Sequence, residues 1–240
     1  MSNSVLVVVV VLGLAALASL FVYLAVRGAG GWRRKLDQIL LPVGFERCES
    51  DADTAALAQR LRIVNPRHQD KRLVMHHYRR AAVDTGFTVH VCDYHFASAS
   101  GKARGGNWLL VCLVSPALDL PRVSIDSVPP QSGLAARMLR SLADTLEMPG
   151  MSRVRAGTPD LDARFHVYAQ DAGAVSTVLP IMLRDLARSD SGASLDASGD
   201  TLALCSVAML ADRMRQVLDS QKLLGLIELV ARLHHALAHC

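Results

Sequence analysis

Hydrophobic positions along the chain fall into three different rhythms. The first is no rhythm at all: Val5 to Val26 reads VLVVVVVLGLAALASLFVYLAV, 22 residues without a charged side chain. At the helical rise this segment spans about 33 Å, close to the roughly 30 Å hydrocarbon core of a bilayer. The β-branched run Val7–Val11 favours a strand in water. In lipid, a lone strand would leave its N–H and C=O groups unpaired, so a helix is the single-pass solution. The rival reading is a cleaved signal peptide at Ala16-Leu17-Ala18. No basic residue precedes the run, and apolar residues continue beyond Ser19, so the anchor is preferred.

The second rhythm is helical. Leu57, Leu61 and Val64 predict a helix over 54–64, capped by Asp51 or Asp53. Pro66 suits the first turn of a further helix through about residue 83. Its apolar stripe would be Leu73, Val74, Tyr78, Ala81 and Ala82. Its polar face would carry Arg67, His68, Lys71, Arg72, Arg79 and Arg80. Leu134, Met138, Leu142 and Leu146 mark another helix over 134–148, which Pro149-Gly150 stops. A helix over about 172–188 must hold Pro180 in its first turn or kink there. Leu223, Leu226, Ile227, Val230, Leu233 and Leu237 give the strongest helical signal, at the C-terminus.

The third rhythm is that of strands. Phe87–Phe96 (FTVHVCDYHF) is apolar on both faces, as a strand covered on both sides would be. Trp108–Ser115 is nearly all apolar, and the Gly-rich loop 97–107 makes the pair a hairpin. Shorter strands are predicted at 122–126, 152–156 and 164–170. A further hairpin joins 194–197 to 201–207 through Ser198-Gly199-Asp200. Hairpins clustered between helices predict an α+β fold with an antiparallel sheet and packed amphipathic helices. The expected organisation is an external tail 1–4, a transmembrane helix 5–26, a juxtamembrane linker 27–50 and a cytosolic domain 51–240.

Composition and charge refine this picture. The chain has 240 residues, of which 51% are hydrophobic, and mean hydropathy is +0.25. Much of that excess lies in the uncharged span. The whole net charge of +4 therefore belongs to residues 27–240. Global disorder is excluded, because low hydrophobicity with high net charge is absent. Residues 1–4 carry no charged side chain, whereas Arg27, Arg33, Arg34 and Lys35 follow the span before the first acid, Asp37. The positive-inside rule then places the N-terminus outside the plasma membrane and the main domain in the cytoplasm. Cys48, Cys92, Cys112, Cys205 and Cys240 are odd in number and include no CxxC pair, which suits a reducing compartment. Cys92, Cys112 and Cys205 are expected as small core residues on strands.

The order of features is similar to that of uncharacterised bacterial membrane-anchored proteins with a cytosolic α+β domain. The residues that carry the likeness are Gly44-Phe45-Glu46, Leu120-Pro121-Arg122, Arg164-Phe165-His166-Val167-Tyr168 and Asp200-Thr201-Leu202-Ala203-Leu204. The resemblance carries over no catalytic residue.

Candidate chemistry is sparse. Gly101-Lys102 to Gly106 lacks the GxxxxGK[ST] order of a phosphate loop, and there is no GxSxG or HExxH. No recognised nucleic-acid motif accompanies the small positive charge, so nucleic acid is not an expected partner. Trp32, Arg33, Arg34 and Lys35, with Arg72, Arg79 and Arg80, form a candidate membrane-surface set, since cations beside an interfacial aromatic suit anionic headgroups. His235 and His239 stand four residues apart and, with Cys240, are the candidate ligands of a zinc ion. Two functions follow as expectations. The first is a membrane-anchored, non-catalytic interaction domain without cofactor, contacting the lipid bilayer and a protein partner. The alternative is a membrane-tethered metal-dependent hydrolase built on the C-terminal His cluster.

Overall fold

The computed structural model describes residues 31–64, 72–82, 86–96, 106–128, 150–189, 192–206 and 218–239. The predicted transmembrane helix 5–26, the predicted helix 134–148 and Cys240 lie outside them. No helix among the described residues is long and apolar enough to cross a membrane. The chain divides into two compact units, Met1–Val43 and Gly44–Cys240.

In the first unit, residues 31–40 are helical (α1) and end in a 3-10 turn, Leu41–Val43. Trp32, Leu36 and Leu40 recur every four residues and are buried, while Arg33, Arg34 and Lys35 are exposed.

The second unit is α+β and is built on one antiparallel sheet. Its strands are β1 (Glu46–Arg47), β2 (Arg72–Ala82), β3 (Phe87–Phe96), β4 (Gly106–Val114), β5 (Leu120–Ser127), β6 (Ser152–Val154), β7 (Phe165–Ala169), β8 (Ala193–Gly199) and β9 (Thr201–Ser206). Their order in the sheet is β1-β2-β3-β4-β9-β8-β5-β7-β6. The β8–β9 hairpin is thus inserted between β4 and β5, which follow each other in the chain. The link from β4 to β5 crosses the hairpin's tip, where the Ser115 N–H donates to the Asp200 carbonyl at 2.8 Å.

Helix α2 (Asp51–Val64) lies on one face of the sheet. Its cap is Ser50, whose Oγ accepts from the Asp53 N–H at 3.3 Å, rather than either predicted aspartate. Leu57, Leu61 and Val64 pack on Cys92, Tyr94, Leu110, Cys112, Ala203 and Cys205. The three strand cysteines are core residues, as their apolar surroundings in the sequence implied. Burial, with Asp200 adding to it and Arg60 opposing it, pushes the Cys112 thiol up to about 12.

The intervening strand positions, among them Val89, Val91, Val111, Leu113, Leu202 and Leu204, are fully buried on the opposite face. There α5 (Ser220–Leu237) lies against β4 and β9 and packs with α4 (Leu179–Arg188). Asp219 caps α5 by accepting from the N–H groups of Gln221 and Lys222. A short α3 (Pro159–Arg164) precedes β7. The predicted 172–188 helix begins only at Leu179, so that Pro180 falls in the first turn, where no N–H is needed.

The helix expected over residues 72–82 is overturned as well. Residues 72–82, read as the second half of a basic amphipathic helix, form strand β2, paired with β3 from Arg72↔Phe96 to Ala82↔Phe87. Arg72, Arg79 and Arg80 therefore do not share a helical face. The cause is a β-bulge between Met75 and Tyr78. One extra residue breaks the period of two, and the apolar spacing then imitates a helix.

Candidate functional site

The site begins beside the bulge in β2. Met75 pairs with Asp93 and Tyr78 with Val91, so His76 and His77 together oppose Cys92. His76 takes φ +48, the only non-glycine residue with positive φ among the described residues. Such a backbone costs about 1–2 kcal/mol for an L-residue. His77, two residues before Arg79 on the same strand, takes the same face of the sheet, under α2 and next to His90.

His77 is 5% exposed and bonded on both ring nitrogens. Nδ1 lies 3.2 Å from Thr54 Oγ1 on α2, and Nε2 lies 2.9 Å from His90 Nδ1 on β3. The two imidazole centroids are 5.1 Å apart. Burial pushes His77 down to about 4; Arg79 acts in the same direction and Asp53 against it. Burial also pushes His90 down to about 4, reinforced by His77, Arg79 and Arg60 and opposed by Asp53. Both rings are therefore neutral at pH 7, and each carries one donor and one acceptor. Two arrangements satisfy the chain Thr54–His77–His90. In one, Thr54 donates to His77, His77 donates to His90, and the remaining His90 nitrogen, Nε2, carries a proton. In the other, every bond runs backwards and that nitrogen is a bare acceptor.

His90 forms part of the wall of a cleft of about 530 Å³, between α2 and strands β1 to β4. Its charged and imidazole lining comes from Glu46, Asp53, Arg60, Arg79, Arg80 and His90, and Thr88 adds a hydroxyl. Asp53, Leu57 and Arg60 reach it because positions three and four apart share a helix face. Arg79 bonds Asp53 at 3.1 Å, and both side chains are about half exposed. Arg60 pairs with Asp200, which also accepts from Thr201 Oγ1 at 2.7 Å. Burial works to raise the Asp200 carboxyl, but the bonds from Thr201 and Arg60 outweigh it and hold it below its ordinary value. The Arg80 guanidinium stands 4.9 Å from the centre of the Phe45 ring.

Cys48 borders the site but is not an activated nucleophile. Its thiol lies 3.6 Å from Asp53 Oδ2, and burial together with that carboxylate pushes its pKa up.

The residues singled out from the sequence are dispersed. Arg79 and Arg80 reach the cleft, while the side chain of Arg72 is outside the description. Arg33, Arg34 and Lys35 are exposed on α1, but Trp32 is only 4% exposed. His235 and His239 pack edge to face with centroids 5.1 Å apart. Among the described residues, no three His, Cys, Asp or Glu side chains gather as a metal-binding group. His234 has a packing role: its Nε2 lies 2.9 Å from buried Ser115 Oγ, and its ring lies against Phe87.

Reading 72–82 as a helix hid the His77–His90 pair, because adjacent histidines diverge on a helix. The available signal was the closeness of two His-bearing, β-branched or aromatic stretches, Leu73–Tyr78 and Phe87–Phe96, joined by a short link. No family model matches the chain, and neither a curated protein nor a solved structure matches it significantly.

Proposed function

We propose that this chain is a membrane-anchored recognition domain that binds its partner without chemical conversion, through the cleft between α2 and the β1–β4 half of the sheet. The observation that carries the reading is the make-up of that cleft. Its walls hold hydrogen-bonding and charged groups from four elements, with Arg79 paired to Asp53 and His90 to His77, around a space of about 530 Å³. The hydroxyl and thiol groups nearby are poor nucleophiles. His77, the base beside the Thr54 hydroxyl, is pushed down to about 4, and the Cys48 thiol is stabilised in its protonated form. Pre-ordered donors and acceptors without an activated attacking group suit binding better than catalysis.

The anchor in this reading is the uncharged span 5–26, with the N-terminus outside and the α+β domain in the cytoplasm. The anchored topology resembles that of the bacterial membrane proteins named above.

Two experiments test the proposal. In the first, the full chain is purified in mild detergent, with an Arg79→Gln/His90→Gln double variant beside it. The expected result is a partner retained by the parent and lost by the variant. Equal recovery from both, or no enriched partner, overturns the reading. In the second, an impermeant thiol reagent is applied to intact cells. Ser2→Cys should be labelled and the native cysteines protected; the reverse pattern overturns the topology.

A further inference from the structure

Three arginines enter the cleft from two elements, Arg60 from α2 and Arg79 and Arg80 from β2, and a neutral imidazole lies among them. We infer that the group bound in this cleft is an oxyanion, a carboxylate or a phosphate, held by Arg79 and Arg60 and by the N–H at Nε2 of His90. The inference rests on the reading of the cleft as a recognition site and names the chemistry of what it recognises.

The fold itself provides the pattern for such contacts. Arg79 and Arg60 each already hold a carboxylate, those of Asp53 and Asp200. All four side chains are between about a third and a half exposed, so each pair is weak. An incoming oxyanion can therefore take the place of Asp53 on Arg79. A planar guanidinium offers paired donors that match a carboxylate or phosphate edge.

His90 complements them as an uncharged donor. Burial and the two neighbouring guanidinium groups keep the ring from taking a second proton. The bond to His77 occupies Nδ1. An anion against Nε2 selects the arrangement in which Thr54 donates to His77 and His77 donates to His90, leaving the Nε2 proton to meet the ligand. His77 is then a positioning residue, held in turn by Thr54 on α2.

Binding must compete with Asp53, and this makes the inference testable in two directions. The full chain, with nitrogen-15 in its histidine rings, is titrated in neutral detergent with inorganic phosphate and, separately, with acetate. Chloride at matched ionic strength is the control. The expected result is a saturable conversion of His90 to the Nε2–H form by at least one oxyanion and not by chloride. The tighter of the two anions identifies the class of group. Arg79→Gln should weaken binding at least about tenfold, the loss expected for about 1.4 kcal/mol. Asp53→Asn should strengthen it, because it frees Arg79. No saturable change with either anion overturns the inference, as does an affinity indifferent to both substitutions. Partner capture that depends on the cleft, without oxyanion binding, overturns this inference and leaves the recognition reading standing. Oxyanion binding without a captured partner does the opposite.

Discussion

The imidazoles of His77 and His90 meet at 2.9 Å although the two residues are not partners in the sheet. The register pairs His90 with Arg79, two positions further along β2. His77 shares Arg79's face by simple strand alternation, and the bulge lies on its N-terminal side. The pair lies under α2, where Thr54 bonds its far nitrogen. Three elements consecutive in the chain, α2, β2 and β3, are thus tied by one chain of polar contacts.

The pair makes stability depend on pH in a defined direction. Both rings are pushed from 6.5 down to about 4. Between those values the unfolded chain binds protons that the folded chain refuses. Stability from this source is complete above pH 6.5, falls as pH drops toward 4 and falls no further below that. Each proton contributes a slope of at most about 1.4 kcal/mol per pH unit. Asp53 on α2 opposes the effect, while Arg79 on β2 and Arg60 on α2 reinforce it. Urea unfolding from pH 7.5 to 4 should show the loss, and a His77→Gln/His90→Gln variant should show a shallower one. An unchanged slope in the variant refutes the assignment. Some slope persists in the variant, because burial also lowers His234.

The bulge is testable at His76. Its φ of +48 suits asparagine and penalises a β-branched residue. His76→Val should destabilise by about 1–2 kcal/mol, and His76→Asn should cost much less. Unfolding midpoints in urea give the comparison. Equal midpoints for the two variants would count against a bulge with this geometry.

Legibility in the sequence followed the range of the contacts. Leu57, Leu61 and Val64, the α5 stripe and the β3–β4 hairpin are written in local periodicity, and each formed as read. β2 was misread because His76 and His77 together occupy one sheet position. The strand order was not readable, because β9 reaches β4 from about 90 residues away through contacts that leave no local trace. The candidate site was half legible. Arg79 and Arg80 stood out as basic residues, but Asp53 and Asp200 looked like ordinary helix-start and turn aspartates. Their role beside Arg79 and Arg60 comes from tertiary placement alone.

Ser115 and His234 provide a second polar clamp, on the α5 side. Ser115 is fully buried, and its Oγ meets His234 Nε2 at 2.9 Å while also accepting from the Ala117 N–H at 3.3 Å. Ser115→Ala would leave a buried imidazole nitrogen and a backbone N–H without that partner. The expected cost is about 1–3 kcal/mol. Hydrogen exchange should then accelerate in the last turns of α5 more than in α2. Uniform acceleration across both helices would show that the bond does not specifically hold α5.

The ion pairs and the α2 core should differ sharply in their contributions. Leu61 is 3% exposed and packs on the sheet's cysteine-bearing face, where its removal leaves a cavity. Leu61→Ala should cost about 2–5 kcal/mol, because lost transfer energy and unfilled space add. Arg79 and Asp53 are each about half exposed, so solvent screens their attraction. Arg79→Gln should therefore change stability by less than about 1 kcal/mol. This contrast also protects the ligand-binding test, since a weakened affinity in Arg79→Gln cannot then be charged to a damaged fold. Urea midpoints for the two variants decide the matter. A large destabilisation by Arg79→Gln would mean that the pair holds α2 to β2, and that Arg79 is not available to exchange Asp53 for a ligand.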